Sequence, residues 1–436
     1  MATSEAKSKL NVTFTSEMET RPASARASGG ASGKGVSGGR RKVLEYAALA
    51  SVPLVLVLGN SMIVPILPTL MRELKISSFQ SSLVITLFSV TAGLIIPIAG
   101  YLSDRFSRKA VMIPALILYG IAGILSGMAA LWHSYAFLLT ARAIQGIAAA
   151  GTTPIAMALV GDLYKDAEES RALGLIEASN GSGKVISPIL GSLLALIVWY
   201  AVFFSFPVFC VISLVAVLFL IKEPKRTAPP VALKPYIRKI GELFKKHGRW
   251  LICSFWAGST AMFILFGVLF FLSNILEQKP YNIDGVAKGF VLAIPLFGMV
   301  ATAYITGSVI RKNGVLIRWL MNIGLAMMAV SLGLAIWLNK DNLYVFIGLL
   351  TASSIGTGML LPCLTTMITG VVDKAERGMI TSLYSSLRFL GVAFGPPLFG
   401  WMMEISHRTV FITVSCLSLL TLALVFFFVK PDKQVK

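Results

Sequence analysis

The sequence predicts an all-α integral membrane protein of twelve transmembrane helices, arranged as two six-helix halves. Three observations carry this. Hydrophobic residues make up 56% of the 436 positions and charged residues only 14%, against about 25% charged in a soluble domain. Apolar runs long enough to cross a bilayer recur along the chain, six before residue 222 and six after residue 249. The interval between them, 222–249, holds nine Lys and Arg against Glu223 and Glu242. Basic loops stay on the cytoplasmic side of a membrane, so this linker sets the orientation and divides the chain.

Residues 1–42 are rich in Ser, Ala, Gly, Lys and Arg and lack an apolar run, which predicts an unstructured basic cytoplasmic tail. A targeting peptide is the competing reading, and Glu5, Glu17 and Glu19 count against it. The first half, 43–221, carries spans near 46–70, 80–102, 110–131, 135–160, 172–195 and 199–221. The second half, 250–430, carries spans near 250–275, 286–310, 315–338, 343–370, 379–404 and 408–429. A short cytoplasmic tail, 431–436, closes the chain. Within the linker, 235–247 can form a basic amphipathic helix on the inner leaflet; a solvated linker without regular structure is the alternative.

A net charge of +19 would suit a nucleic-acid binder, but its distribution does not. Of 39 Lys and Arg, 30 fall in segments placed in the cytoplasm, six fall outside, and Arg142, Lys184 and Arg388 lie within spans. That is the positive-inside bias of a multi-pass plasma-membrane protein with both termini cytoplasmic. Cys210, Cys253, Cys363 and Cys416 sit far apart in apolar runs and read as small core residues. His133, His247 and His407 lie at span ends or in the linker, which leaves no metal-ligand set; no cofactor is expected. No phosphate-binding GxxxxGK[ST] motif is present, so an ion gradient is the expected energy source.

The halves echo each other. GYLSDRFSRK at 100–109 is answered by GSVIRKNGVL at 307–316, and GSGKVISPILGS at 181–192 by FLGVAFGPPLFG at 389–400. Such a repeat implies two similar bundles facing one cavity, the plan of a secondary transporter.

Three stretches carry the chemistry. In the loop after span two, Gly100 allows helices to approach, and Asp104 and Arg105 can form the charge-assisted bonds of a breakable latch that also includes Arg108 and Asp162. A solvated charge run is the plainer reading. In span four, Arg142 precedes Gln145 and Gly146. An Arg in hydrocarbon is costly unless it faces protein or water, so it points into the bundle. There it acts either in proton relay or substrate contact, or as a hub bonding nearby carbonyls. In span five, Gly183, Pro188 and Gly191 allow close crossing and a bend, with ordinary small-residue packing as the alternative. Gly395 and Pro396 repeat the arrangement in span eleven as a second hinge or a simple kink.

Glu177, Asn180 and Lys184 share one face of span five by their spacing of three and seven. Glu177 and Lys184 stand about 10 Å apart along a helix, too far for a direct ion pair. Glu177 is the acid read as lying well inside a span, which makes it the candidate proton carrier; a structural pair or a more exposed depth are the other readings. Asn60 in span one, Asn180, Lys184 and Arg388 are candidate cavity residues. If Arg142, Lys184, Arg388 and Glu177 all face the cavity, its net charge is about +2, which favours an anionic or zwitterionic amphiphile such as a siderophore or an acidic lipophile.

These motifs resemble the major facilitator superfamily. Gly100, Leu102, Asp104, Arg105, Arg108 and Lys109 match its loop signature G-x-L-x-D-R-x-G-R-K, with Ser107 in place of Gly. Arg142, Gln145 and Gly146 match R-x-x-Q-G. Gly174, Gly183, Pro188 and Gly191 match the antiporter motif of span five, with Ser187 and Ser192 in place of Gly. The resemblance implies a twelve-span drug:proton antiporter, with the motif Asp capping a helix of the opposite half and the motif Arg paired with an acid ending span four, where Asp162 stands. Expected partners are a small-molecule substrate, protons and the bilayer, not nucleic acid. An uptake symporter or a lipid flippase of the same fold are the alternatives, and a membrane-embedded enzyme lacks its His/Asp/Glu cluster.

Overall fold

The computed structural model describes residues 34–223, 233–310, 313–338, 342–371 and 374–430. The first half of the chain forms α1 (Lys34–Ser61), α2 (Leu67–Leu74), α3 (Ser78–Arg105), α4 (Arg108–Leu131), α5 (Tyr135–Ala149), α6 (Thr153–Leu163), α7 (Asp166–Ala195) and α8 (Ala201–Leu220). The second half forms α9 (Leu233–Glu277), α10 (Gly285–Val309), α11 (Gly314–Leu338), α12 (Leu343–Val371), α13 (Lys374–Ile405) and α14 (His407–Phe428). Residues 43–436 make one compact unit. The predicted tail 1–42 lies outside the described residues except for 34–42, where α1 already runs as helix. Linker residues 224–232 and the tail 431–436 also lie outside them.

Two predicted spans are broken. Span one divides into α1, a 3₁₀ turn at Val64–Ile66 and α2, because Pro65 and Pro68 lack the N–H that would continue the ladder. Span four divides into α5 and α6 at Gly151-Thr152, with Pro154 opening the new helix. The basic segment 235–247 is not a separate surface helix. It is continuous with span seven as α9, 45 residues long, and its Phe244 packs edge-on against Phe255.

Among the described residues ten helical segments are long and apolar enough to cross a membrane, with α1–α2 and α5–α6 each counting as one. The two remaining long helices are α7 and α13, of 30 and 32 residues. Composition alone leaves them out because they carry Glu177, Asn180, Lys184 and Arg388 together with several serines.

Equivalent helices meet in equivalent ways in the two halves. Gly183 of α7 lies against Leu54 and Val57 of α1, and Gly191 against the Met62 carbonyl just beyond it. Gly391 and Gly395 of α13 lie against the carbonyls of Ser259 and Phe263 on α9. Gly146 of α5 meets the Phe88 carbonyl of α3, and Gly358 of α12 meets the Met299 carbonyl of α10. At each of these carbonyls a Cβ would collide with backbone, so the helices approach as closely as glycine permits.

Two helix pairs join the halves. Along α3 and α13, Thr86 Oγ1 donates to the Ala393 carbonyl at 2.7 Å, Ser386 Oγ donates to the Gly93 carbonyl at 2.5 Å, and Gly100 faces Ser382. Along α7 and α10, Gly289 lies against Pro188 and Ser192, and Gly181 against Val300. One heptad further toward the linker end come Gly174 and Gly307, on the same two stripes, and a Cβ on either would have no atom within 4 Å. So α7 and α10 touch at the end far from the linker and diverge at the linker end.

Candidate functional site

Lys184 of α7 lies within electrostatic reach of the Arg388 guanidinium on α13, in the other half, and of the Glu177 carboxylate on its own helix. The Arg388 guanidinium sits 5.5 Å above the ring of Tyr384, one turn away on α13, and its buried Nε has no hydrogen-bond partner among the described residues. Tyr384 is itself held by Phe255 of α9, ring centroids 5.7 Å apart, and rests on Gly258, where a side chain would displace it. The aromatic platform restrains a long, flexible side chain.

Glu177 and Lys184 make no direct ion pair, in keeping with their spacing along the helix. The carboxylate of Glu177 is exposed rather than buried. It lies near the linker end of α7, in the stretch where α7 and α10 diverge. Asn180, half-buried, lies between it and Lys184.

Arg142 does not join this group. It is fully buried inside the first half, where Nε donates to the Val84 carbonyl at 3.1 Å and Nη1 to the Gly59 carbonyl at 3.2 Å. Gln145 Oε1 accepts a further bond from Nη1, and the Phe88 ring lies 4.5 Å from the guanidinium. This is the carbonyl-hub arrangement, in which protein groups take the place of water around the charge, with Nη2 left without a partner among the described residues. The count of charges at the interface therefore falls from two net positive to one: Lys184 and Arg388 against Glu177. Asn60 is also buried, and its Oδ1 has no hydrogen-bond partner among the described residues. Tyr119, whose hydroxyl lies against Gly59, completes this cluster and carries no periodic or motif signal in the sequence.

The loop at 100–109 is built differently from expectation. Arg108, not Arg105, pairs with Asp162: its Nε lies 2.8 Å from Oδ2, and its Nη1 lies 2.6 Å from Asp104 Oδ1 and 2.8 Å from Ser103 Oγ. The reason is the chain turn at Phe106-Ser107. It ends α3 and starts α4 with Arg108 facing back under the loop, 8% exposed, while Arg105 stays on the rim with the Tyr101 hydroxyl at 3.2 Å. Glu223, at the start of the linker, accepts from the Arg108 and Lys109 backbone N–H groups and caps α4. These bonds tie α3, α4, α6 and the end of α8 together within the first half. Across the halves, Gly100 at the start of this stretch lies against Ser382.

The proposed hinge residues sit at helix crossings. α7 runs unbroken through Pro188 and α13 through Pro396 and Pro397. Behind Pro188, the Ser187 hydroxyl donates to the Gly183 carbonyl at 2.5 Å. Gly183, Gly191 and Gly395 each fit against a neighbouring helix.

A family model described as Major Facilitator Superfamily matches residues 49–317 and 278–436. The chain is 44% identical over 391 residues to the bacillibactin exporter of Bacillus subtilis (strain 168), covering 89% of this chain and 96% of that protein. It is 25% identical over 351 residues to multidrug resistance protein 1 of the same organism, covering 80% and 87%. Among solved structures, the human organic anion transporter MFSD10 (TETRAN) shares the fold with a TM-score of 0.69 at 20% identity, covering 88% of this chain and 99% of that one.

Proposed function

The chain belongs to the Major Facilitator Superfamily, and from that premise we propose that it exports a small anionic or zwitterionic amphiphile across the plasma membrane in exchange for protons. It is a multi-pass membrane transporter, not an enzyme. The export direction is supported by relatives named as a bacillibactin exporter and a multidrug resistance protein. Both termini and the linker lie in the cytoplasm on this reading, by the positive-inside bias. Two bundles, 43–221 and 250–430, rock about α3–α13 and α7–α10 and expose the interface site to each side in turn. Gly183, Pro188, Gly191, Gly395 and Pro396 are the proposed hinge positions. Gly100, Asp104, Arg105, Arg108 and Asp162 form the proposed latch of the cytoplasmic mouth.

The reading of the substrate class rests on Lys184 and Arg388, two cations within spans on different halves that lie within electrostatic reach of one another. Bringing two cations together costs Coulomb energy unless an anion lies between them, and an anionic cargo supplies it. Glu177 is the nearby carboxylate that competes for the same cations. In the exchange cycle cargo and proton occupy the site in turn: Glu177 takes a proton from outside once the cargo has left and discharges it inside before the next cargo binds, each step tied to one rocking motion. That alternation is the proposed antiport step, and Arg142 holds the first bundle in the shape that presents α7.

The test is transport in proteoliposomes under an imposed pH gradient, comparing the unmodified protein with Glu177→Gln. The proposal expects gradient-driven accumulation of an anionic amphiphile that Glu177→Gln abolishes while substrate binding persists. Undiminished accumulation in the variant would remove Glu177 from the coupling.

A further inference from the structure

At the face opposite the linker, one buried carboxylate is shared by two cations of very different standing. Glu277 ends α9 and is 9% exposed at its side chain. Lys288, in the first turn of α10, is 3% exposed and pairs with Glu277 Oε1. Both belong to the second half. Arg72, from α2 in the first half, reaches Glu277 Oε2 at 2.5 Å and is 64% exposed. Asp284 is the other carboxylate in the field of Lys288. Beneath this group, Ser273 Oγ donates to the Val64 carbonyl at 3.0 Å across the halves, and Gly289 closes on Pro188 and Ser192.

We propose that Arg72–Glu277 is the releasable bolt of the far-face gate, and that Lys288 is a fixed counter-ion that makes release inexpensive. The inference rests on the rocking motion proposed above. Opening this face must part Arg72 from Glu277, since they stand on different halves. A buried carboxylate left without any cation is strongly disfavoured. Lys288 travels with Glu277 and keeps it compensated, so opening loses only the bond to Arg72, whose own side chain is solvent-exposed and holds its partner weakly. Without Lys288, Arg72 becomes the only cation paired with Glu277, and opening strands the charge. The two cations on one carboxylate therefore act with opposite sign. Losing Arg72 favours the open far face, and losing Lys288 favours the closed one.

The experiment uses the full chain with Cys210, Cys253, Cys363 and Cys416 replaced by serine and Ser273→Cys as reporter, because Ser273 is fully buried at this interface. A membrane-impermeant maleimide is added on the far face and the labelling rate measured. Arg72→Gln is expected to raise the rate about two- to fivefold, the range of an exposed ion pair. Lys288→Met is expected to lower it at least about tenfold, as for a stranded buried charge. Combining Lys288→Met with Glu277→Gln is expected to restore fast labelling, since no charge is then stranded. Should Lys288→Met alone not fold, Arg72→Gln and the combined variant decide: no acceleration in either overturns the bolt. Equal or same-signed effects of Arg72→Gln and Lys288→Met also overturn it. A parent rate that never responds to an imposed pH gradient overturns the rocking motion itself, a separate failure.

Discussion

Replacing Gly191 with alanine tests how closely α1 and α7 approach. The added Cβ would collide with the Met62 carbonyl oxygen, which is backbone and cannot rotate away. To reach ordinary van der Waals separation the helices must part by about 1 Å in a close-packed interior. Overpacking of this kind costs about 1–3 kcal/mol. Alanine's better helix propensity returns about 1 kcal/mol, which leaves a net loss of up to about 2 kcal/mol and a deficit of about 1–3 kcal/mol against a site where only the propensity changes. Gly174→Ala is the internal control: the same chemical change on the same helix, with no atom within 4 Å to meet it. There the propensity gain stands alone, and stability holds or rises. Thermal unfolding of the purified protein, followed by tryptophan fluorescence, would show Gly191→Ala melting several degrees below Gly174→Ala. A Gly191→Ala protein as stable as the control would refute the close approach of α1 and α7.

The remaining predictions divide between the latch, the hub, the closing contact and the site. Asp162→Asn and Arg108→Gln each lose about 1–3 kcal/mol of stability because Arg108 is 8% exposed, while Arg105→Gln on the rim changes melting by less than about 0.5 kcal/mol. Arg142→Lys keeps the charge but cannot reach the Val84 and Gly59 carbonyls and Gln145 at once; it lowers the melting temperature, whereas Lys184→Gln does not. Gly174→Leu and Gly307→Leu fold normally in the described state, where both positions are open, but slow turnover by preventing α7 and α10 from meeting at the linker end. Lys184→Gln raises the KM for an anionic amphiphile about tenfold or more, the worth of a charge-assisted contact, and leaves that for a cationic one unchanged or lower.

The helices and their order were legible because hydrocarbon solvation forces long apolar runs, and composition reports them directly. Even the exceptions carried information. The polar content that keeps α7 and α13 below the apolar threshold is what marks them as interface helices. The breaks in spans one and four were less legible, although Pro65, Pro68 and Pro154 are visible, because proline also stays inside α7 and α13 without breaking them. The pairing of Arg108 rather than Arg105 with Asp162 depends on a two-residue turn that no spacing rule resolves. Arg142 and Lys184 were both read as cations within spans, and packing separates their roles: one bonds carbonyls within the first half, and the other lies within electrostatic reach of Arg388 on the second. Tyr384 and the Arg72–Glu277–Lys288 group were missed because their partners lie on other helices and share no periodicity.

The most direct measurement compares the fluxes of two fluorescent amphiphiles, matched in size and hydrophobicity but opposite in charge, in proteoliposomes under the same pH gradient. A cation-lined site between alternating halves predicts proton-driven transport of the anionic probe, little of the cationic one, and a shift toward the cationic probe in the Lys184→Gln, Arg388→Gln double variant. Equal fluxes of the two probes in the unmodified protein would contradict it.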